Sequence, residues 1–375
     1  MSARPRVCFL YIAQKHQVLH SLSIAHALAR GWPEIEVEIA ATTPAHIAYV
    51  RQLNAALGPP ELPAKLLGPG WLRRSHPNPP KALMLAMNAA RLGRYDAIVV
   101  PERTSSMLRK FGLTKQKLIY TQHGAGDRGG PFEPRLRLFD LVNAAGPAQR
   151  DRLVGEGWVS PENCAMVGYP KFEMVDAMAR AGITAPTPVF ADPAPVVFFN
   201  PHFHATLGAW PAWGAKILAQ FAADDRYNLI FAPHIRLFKG ADPASVPALA
   251  PYLNHPRIHI DLGGPAAIDM TYSRCGDLYL GDVSSQVYEF LRTPRPCVFL
   301  NPSQAAWVGD ESFRHWSYGP VLDSPDGLID ALDAARAGHG AYRPVQAAGF
   351  AQTFDLQATP SSQRAAAAIV ERLGR

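Results

Sequence analysis

Short apolar runs alternate with segments of helical periodicity along nearly the whole chain of 375 residues, and no other feature restricts the fold as much. The apolar runs, rich in β-branched and aliphatic residues, predict buried strands, and the segments between them predict crossover helices. Strands joined by crossover helices form parallel sheets. The sequence therefore predicts the α/β class.

The strands fall into two series on either side of a proline-rich stretch. The first series comprises Val7–Ile12, Ile35–Ala40, Ala97–Val100, Leu118–Thr121, Leu138–Ala144 and Ala165–Gly168, with helices such as Val18–Arg30 between them. The second comprises Val196–Asn200, Asn228–Ala232, Arg257–Ile260, Asp277–Gly281 and Cys297–Leu300. The stretch between them, residues 183–195, has four prolines, which neither a helix interior nor a central strand tolerates.

This division predicts two doubly wound, Rossmann-like domains, residues 1–185 and 196–375, joined by a linker over residues 186–195. We expect the domains to face a cleft, with ligands bound at the carboxyl ends of both sheets. A C-terminal helix, Ser361–Arg375, is assigned to the second domain, although it could dock on either.

Composition excludes several classes of protein. Hydrophobic residues make up 48% and charged residues 18%, which is typical of a globular chain and not of a disordered one. The net charge of +6 favours anionic ligands over a nucleic-acid partner. The four cysteines have no C-x-x-C spacing, no apolar stretch reaches the ~18 residues of a membrane span, and no convincing signal peptide opens the chain. We expect a cytoplasmic protein with free thiols.

The stretch Asp277–Phe290 is the most informative part of the chain. A strand leads into the turn Gly281-Asp282, and Ser284 and Ser285 stand where a new helix begins. Amides and hydroxyls at such a position can bind phosphate, but serines there are also ordinary helix caps. His234 and Arg236 follow the neighbouring strand. They are predicted to emerge at the same sheet edge, where together with the serines they suit a pyrophosphate leaving group.

Two further sets of histidines follow strands. His202 and His204 come directly after Val196–Asn200. No carboxylate or cysteine partner is near them in sequence, so a metal site is not expected. We expect the two histidines either to donate hydrogen bonds to phosphate oxygens or to be plain surface residues. His123 precedes Gly124 and Gly126, which allow a sharp turn, and it is a candidate general base for a hydroxyl.

Asp127 either orients His123 or caps the following segment, whereas His16 and His20 are predicted to lie on a solvated helix face. No Walker A sequence is present, which argues against P-loop NTPases. A basic cluster in the first half, Trp71–His76 with Lys81, Arg103, Arg109, Lys110, Lys115 and Lys117, leaves anionic membrane lipids and simple solvation as alternatives.

The run Gly281–Phe290, followed by Arg295–Asn301 and preceded by Pro233-His234 and Gln122-His123-Gly124, resembles the CDP-glycerol glycerophosphotransferase family of teichoic-acid-type polymer synthesis. The resemblance implies the two-domain GT-B architecture. It also implies that His123 is the base, that His234 and Arg236 bind the leaving group and that Ser284 and Ser285 bind the pyrophosphate. Glu289 would then meet a ribose or glycerol hydroxyl.

This chain has Asn200-Pro201-His202-Phe203 where the family commonly has an Ala-Pro-Thr-Trp-like strand end, which leaves the transferred group open. The hypothesis is a transferase that moves a glycerophosphate-like group from a CDP-activated donor to a hydroxyl of a glycan or lipid-linked acceptor in cell-envelope polymer synthesis. The predicted catalytic residues are His123, Asp127 and His234, and the predicted nucleotide- and phosphate-binding residues are Arg236, Ser284, Ser285, Asp282, Glu289, His202 and His204.

No Asp-x-Asp motif is present, so neither a metal nor another cofactor is expected. Two alternatives remain open: a GT-B sugar-nucleotide glycosyltransferase or UDP-sugar 2-epimerase, and a non-catalytic nucleotide-binding protein. The expected location is the cytoplasm, with peripheral contact at the inner face of the cell membrane as an open alternative.

Overall fold

The computed structural model of the chain describes residues 4–70, 79–124, 126 and 133–374. It contains two separate sheets, of seven and six strands, and every strand pair in both is parallel. The predicted α/β class with two parallel sheets is confirmed. Each sheet belongs to its own compact unit. Among the described residues, the first unit comprises 4–70, 79–123, 133–183 and 351–374, and the second comprises 124, 126 and 184–350.

The sheet of the first unit has the strand order β3-β2-β1-β4-β5-β6-β7. Its strands are β1 (Arg6–Tyr11), β2 (Glu36–Ala41), β3 (Ala64–Leu66), β4 (Ala97–Val100), β5 (Lys117–Tyr120), β6 (Leu141–Ala144) and β7 (Cys164–Met166). The order reverses between β1 and β4, which is the switch point at which ligands bind in doubly wound sheets.

The sheet of the second unit has the order β10-β9-β8-β11-β12-β13. Its strands are β8 (Val196–Asn200), β9 (Asn228–Phe231), β10 (Ile258–Ile260), β11 (Leu278–Gly281), β12 (Cys297–Leu300) and β13 (Val321–Leu322). The strands β8, β9 and β11 are direct neighbours in the sheet, so their carboxyl ends meet at one edge.

Helices connect the strands. The α-helices are α1 (Leu22–Gly31), α2 (Pro44–Leu57), α3 (Lys81–Leu92), α4 (Pro147–Gly155), α5 (Pro170–Arg180), α6 (Trp210–Ala223), α7 (Thr271–Cys275), α8 (Gln286–Phe290), α9 (Leu328–Ala337), α10 (His339–Thr353) and α11 (Ser361–Arg372). The 3-10 helices are Lys15–His20, Arg103–Phe111, Pro134–Leu138, Pro161–Asn163, Pro243–Ser245, Pro247–Tyr252, Pro265–Ala267 and Glu311–Tyr318.

The predicted helix Val18–Arg30 is divided in the structure. It starts as the 3-10 helix Lys15–His20, breaks at Ser21 with φ −146°, and continues as α1. The hydroxyl oxygens of Ser21 and Tyr11 lie 2.9 Å apart, which anchors the break to the end of β1. The break turns the preceding 3-10 helix, with its histidines, away from the axis of α1.

The central strands are buried on both faces, which explains why they read as continuous apolar runs. All four residues of β4, β6, β9, β11 and β12 are buried. Aromatic side chains fill much of the core of the second unit, with Phe199, Phe221 and Phe231 almost fully enclosed. The strand ends are thereby held rigidly, and residues that follow them have defined positions.

The C-terminal helix α11 lies in the first unit, whereas the expected domain boundary had assigned it to the second. Its face of Ala365, Ala366, Ile369 and Val370 is buried, and it packs chiefly on α1. Because α1 presents small and aliphatic residues on one face, it provides the apolar surface that this alanine-rich helix needs. The proline-rich residues 184–195 contain neither helix nor strand.

Among the described helices, none is both long enough and apolar enough to cross a bilayer. All four cysteines are free thiols, as expected from their spacing.

Candidate functional site

In the first unit, the chain turns sharply after β5 to present His123. Gln122 adopts the left-handed conformation, with φ 58°, and Gly124 follows with φ 89°. The buried side chain of Gln122 donates to the carbonyl oxygen of Asn143 (3.1 Å) and accepts from the amide of Gln149 (2.5 Å). Left-handed backbone at a residue other than glycine is costly and persists only where its surroundings enforce it, as at functional sites.

The imidazole of His123 is oriented by a hydrogen bond between its Nδ1 and the carbonyl oxygen of Pro101. A carbonyl only accepts, so Nδ1 carries the proton and Nε2 carries the lone pair of the neutral ring. Burial lowers the pKa of His123 below its usual value, despite opposing contributions from the Pro101 carbonyl and Glu102. A neutral imidazole with a free Nε2 lone pair has the state that a general base requires.

Glu102 stabilises the turn that carries the Pro101 carbonyl. Its buried carboxylate accepts from the backbone N–H groups of Thr104 (2.6 Å) and Ser105 (3.0 Å), and also from the Ser105 hydroxyl. It thus caps the 3-10 helix Arg103–Phe111 and fixes the position of the carbonyl immediately before it.

His20 lies beside His123, which the sequence did not indicate. Their ring centroids are 6.4 Å apart in an edge-to-face arrangement, and the ring of Tyr169 is 5.5 Å from His20 on another side. His20 is only 5% exposed, so the expected solvated helix face is wrong for this residue. Burial, together with the nearby Lys171, holds its pKa well below the usual value.

In the second unit, a buried hydrogen-bond chain ties three strand ends together. Asn200, at the end of β8, donates from its side-chain amide to the Ala232 carbonyl (2.7 Å), just after β9. Its amide oxygen accepts from the hydroxyl of Ser284 (2.5 Å), which lies three residues after β11. Ser284 is 1% exposed, so its hydroxyl proton is committed to this chain. Its neighbour Ser285 is half-buried and therefore more accessible, and the phosphate contact predicted for both serines stays a prediction.

Asp282 is wholly buried and holds the loop that follows β8. Its carboxylate accepts from the backbone N–H groups of His202 (2.9 Å), Ala209 (2.6 Å) and Val283 (2.5 Å). Burial raises the pKa of Asp282 to about 6, while the backbone donors act in the opposite direction. The Asp282 carboxylate thus holds the backbone around the strand ends, and its predicted contact with a nucleotide or phosphate stays a prediction.

The loop between His202 and Ala209 closes tightly on itself. A Cβ atom at Gly208 would lie 2.4 Å from the His202 carbonyl oxygen and 2.5 Å from that of His204, so only glycine fits. The Nδ1 atom of His202 accepts from the His204 N–H (3.2 Å), and the Nδ1 atom of His204 accepts from the Leu207 N–H (3.2 Å).

His234 repeats this arrangement on the adjacent loop. Its Nδ1 accepts from the Arg236 N–H (3.1 Å), and its own N–H donates to the Pro201 carbonyl (2.9 Å). In each of these three histidines Nδ1 accepts a hydrogen bond from a backbone N–H, so the neutral ring carries its proton on Nε2. His202, His204 and His234 are therefore set as Nε2–H donors, the opposite of His123.

The loops after β8 and β9 meet through their rings. The centroids of His202 and His234 are 5.1 Å apart, and the ring of Phe203 lies 4.2 Å from that of His202 and 4.6 Å from that of His234. The exposed Arg236 places its guanidinium carbon 4.0 Å from the centroid of Phe203. The structure thus brings the predicted His202, His234 and Arg236 together, and adds Phe203.

Ser285 and Glu289 lie on the remaining element of this edge. Ser285 precedes α8, which is a single helical turn of five residues. A helix this short does not form an anion site with its N-terminus alone. A Cβ atom at Gly126, which belongs to this unit, would lie 3.1 Å from the Cβ of Ser285. Glu289 is 8% exposed on α8. Asp127, the predicted partner of His123, lies outside the described residues.

The basic cluster of the first half is only partly described, because Trp71–His76 lies outside the described residues. Arg103 forms an ion pair with Glu133 (3.3 Å). Arg109 pairs with Asp140 (2.5 Å) and donates to backbone carbonyls, including that of Leu113 (2.8 Å). Both arginines serve the fold of the unit, which reduces the charge available to an anionic surface.

Within the part of the chain that the structure describes, no group of three or more His, Cys, Asp or Glu side chains is arranged to hold a metal ion. His202 and His204 use their Nδ1 atoms on backbone N–H groups, so each has only its protonated Nε2 directed elsewhere. In this tautomer the two rings are hydrogen-bond donors.

No protein-family model matches the chain, and a search of curated proteins finds no relative. Solved structures do match over nearly the full length. The wall teichoic acid polymerase TagF, in a structure soaked with CDPG, shares 13% identity, with 99% of this chain and 89% of TagF covered and a TM-score of 0.62.

Two other solved structures match to a similar extent. S. aureus MnaA in complex with UDP shares 12% identity, with 98% of this chain and 95% of MnaA covered and a TM-score of 0.61. A UDP-N-acetylglucosamine 2-epimerase shares 12% identity over the same fractions, with a TM-score of 0.59. At these identities the likeness shows the fold alone, which is GT-B.

Proposed function

We propose that the chain is a GT-B transferase that moves a glycerophosphate-like group from a CDP-activated donor to a hydroxyl of a glycan or lipid-linked acceptor. One observation carries this proposal. His202 and His234, each held as an Nε2–H donor by the backbone, lie with the guanidinium of Arg236 at the carboxyl edge of the second sheet, and His204 on the loop after β8 has the same tautomer. Imidazole N–H donors beside a permanent cation suit a diphosphate better than a neutral sugar.

In the proposed step, the acceptor oxygen attacks the phosphorus that carries the glycerol group. A new phosphorus–oxygen bond forms, and the bond from this phosphorus to the bridging oxygen of CMP breaks. CMP leaves with the electron pair of that bond, and Arg236, His234 and Ser285 offset its increasing negative charge. His202 and His204 contact the remaining phosphate oxygens, and Glu289 meets a ribose or glycerol hydroxyl.

His123 takes the acceptor proton on Nε2. Its tautomer and its lowered pKa support this role, because the ring is neutral near pH 7 with its lone pair on the required nitrogen. Asp127 is proposed to orient the acceptor or the ring. Neither a metal ion nor another cofactor has a part in the proposed step. The proposed place of action is the cytoplasm, at the inner face of the membrane if the acceptor is lipid-linked.

Release of CMP from CDP-glycerol, measured by chromatography with glycerol phosphates and lipid-linked glycans as acceptors, tests the proposal. His123→Ala should reduce turnover about 10²–10⁴-fold while the Kd for CMP changes less than about twofold. His255→Ala is the control, because His255 is also a loop histidine but precedes β10, at the amino-terminal edge of the second sheet and away from the strand ends of the proposed site. Loss of CMP binding with normal chemistry in His123→Ala would reverse the assigned roles.

A UDP-sugar 2-epimerase is the second candidate, favoured by the structural matches to MnaA and to a 2-epimerase. An epimerase would convert UDP-N-acetylglucosamine without releasing CMP from any CDP donor. Thermal-shift comparison of CMP, CDP-glycerol, UDP and UDP-sugars, followed by product analysis, separates the two. Nucleotide binding with no product from either donor class would leave a non-catalytic binding protein.

A further inference from the structure

Phe203 lies at the centre of the side chains that form the proposed diphosphate site. The centroid of its ring lies 4.2 Å from that of His202 and 4.6 Å from that of His234. The guanidinium carbon of Arg236 lies 4.0 Å from the same centroid. Phe203 is half-buried and carries no polar atom that could itself bind phosphate.

The contact with Arg236 matters most because this arginine is exposed and long. An exposed arginine samples many rotamers, and ordering it costs conformational entropy when a ligand binds. A guanidinium over an aromatic face is attracted by the π-system and keeps its peripheral N–H groups available for an oxyanion. The ring therefore restricts the guanidinium before the ligand arrives.

The same ring contacts two imidazoles that belong to different loops. His202 is on the loop after β8 and His234 is on the loop after β9. The centroids of these two rings are 5.1 Å apart, so all three rings contact one another. Phe203 therefore links the two loops through packing as well as through the edge-to-face contact of the histidines.

We propose that Phe203 is a positioning residue of the proposed diphosphate site, holding the guanidinium of Arg236 and the imidazoles of His202 and His234 in one arrangement that a diphosphate occupies. This inference rests on the proposed function only in its assumption that the ligand is a diphosphate. It assigns a role to a residue whose chemistry is purely apolar. The proposed role depends on the aromatic face of Phe203, which attracts the guanidinium of Arg236, and not on the volume of the side chain alone.

Binding of inorganic pyrophosphate to the full chain, measured by calorimetry, tests the inference. Phe203→Leu should weaken binding about 2- to 30-fold, the range expected for loss of a cation–aromatic contact. Phe203→Trp should restore affinity to within about twofold, since a larger aromatic face is retained. Tyr252→Leu, a change at a partly buried aromatic residue of the same core, is the matched control and should bind pyrophosphate normally.

A double-mutant cycle separates positioning from a general structural role. In the Arg236→Gln background, Phe203→Leu should lose most of its effect, because the guanidinium it holds is gone. An effect of equal size in both backgrounds, unchanged affinity in Phe203→Leu, or no pyrophosphate binding by the wild-type chain would each overturn the inference. Thermal unfolding of every variant checks that the fold is retained.

The two proposals fail in distinguishable ways. Pyrophosphate binding that depends on Phe203 through Arg236, with no CMP released from CDP-glycerol, would keep this inference and remove the transferase. CMP release that survives Phe203→Leu with unchanged pyrophosphate affinity would keep the transferase and remove the role of Phe203.

Discussion

Nδ1 of His123 donates its hydrogen bond to the carbonyl oxygen of Pro101, 22 residues earlier in the chain. This bond leaves the lone pair of the imidazole on Nε2, whereas the backbone of the second unit forces the opposite tautomer on His202, His204 and His234. Histidine is thus held as a proton acceptor in the first unit, at His123, and as a hydrogen-bond donor at three positions in the second unit.

The first prediction concerns the pH dependence of the proposed reaction. Burial lowers the pKa of His123 below its usual 6.5, so the ring is neutral above that value and protonates only as the pH falls further. The kcat/KM for CMP release should therefore be flat around pH 7 and decline on the acid side, below about pH 6.5. Nitrogen NMR of the His123 ring should report Nδ1–H at pH 7. An Nε2–H tautomer would contradict the assignment.

The second prediction uses two charges that act on His123 in opposite directions. Glu102 raises its pKa and Lys81 lowers it. Glu102→Gln should shift the acid limb of the profile to lower pH, and Lys81→Met should shift it to higher pH. Glutamine keeps one acceptor oxygen, so one of the two bonds from the Thr104 and Ser105 N–H groups is retained and the other is lost.

NMR titration of the His123 ring reads this pair of shifts without any substrate. The double variant should return close to the wild-type pKa, since the two effects oppose one another. Shifts of the same sign in both single variants would show that structure, and not charge, is changing.

The third prediction concerns Asp282. The pKa of Asp282 in the folded state is about 6, above its ordinary value of 3.8, so the folded state holds the proton more tightly. Protonation of Asp282 therefore stabilises the folded state. Its contribution to the free energy of unfolding is complete below about pH 4 and is lost as the pH rises through 6. The free energy of unfolding of wild type minus that of Asp282→Asn should fall by on the order of 3 kcal/mol over this window. Urea denaturation at several pH values measures it, and parallel curves would contradict it.

The fourth prediction concerns the loop that carries the histidines. Gly208→Ala would place a methyl group against two backbone carbonyl oxygens, which cannot move as a flexible side chain can. We expect a loss of about 1–3 kcal/mol in the free energy of unfolding and weaker pyrophosphate binding. Gly340→Ala is the control: its new methyl group meets nothing within 4 Å in α10, and it should leave binding unchanged.

The central strands were predictable because burial on both faces leaves a continuous apolar run. Ala97–Val100, Val196–Asn200 and Cys297–Leu300 agree with the structure to the residue. The edge strands β3 and β13 were missed. They have three and two residues, and they are mostly half-buried, so they carry too little apolar signal to differ from loops.

The sequence indicated that His202, His234 and the two serines follow strands, and the sheet order brings them to one edge. It gave no indication of His20 or Phe203. His20 looked like one member of a solvated pair, and Phe203 was noted only as part of the departure from the family's strand end. The roles of Ser284 and Asp282 were also hidden, because an N-terminal serine and a turn aspartate look the same whether they contact a ligand or the backbone.

The amino-acid order alone determined where the strands lie and which polar residues follow them, because strand burial is a local pattern of apolar residues. Only the tertiary structure decided which nitrogen of each imidazole carries the proton and which polar groups are already paired. Those properties depend on partners brought close by folding, such as Pro101 for His123 and Asn200 for Ser284, which lie 22 and 84 residues away in the chain.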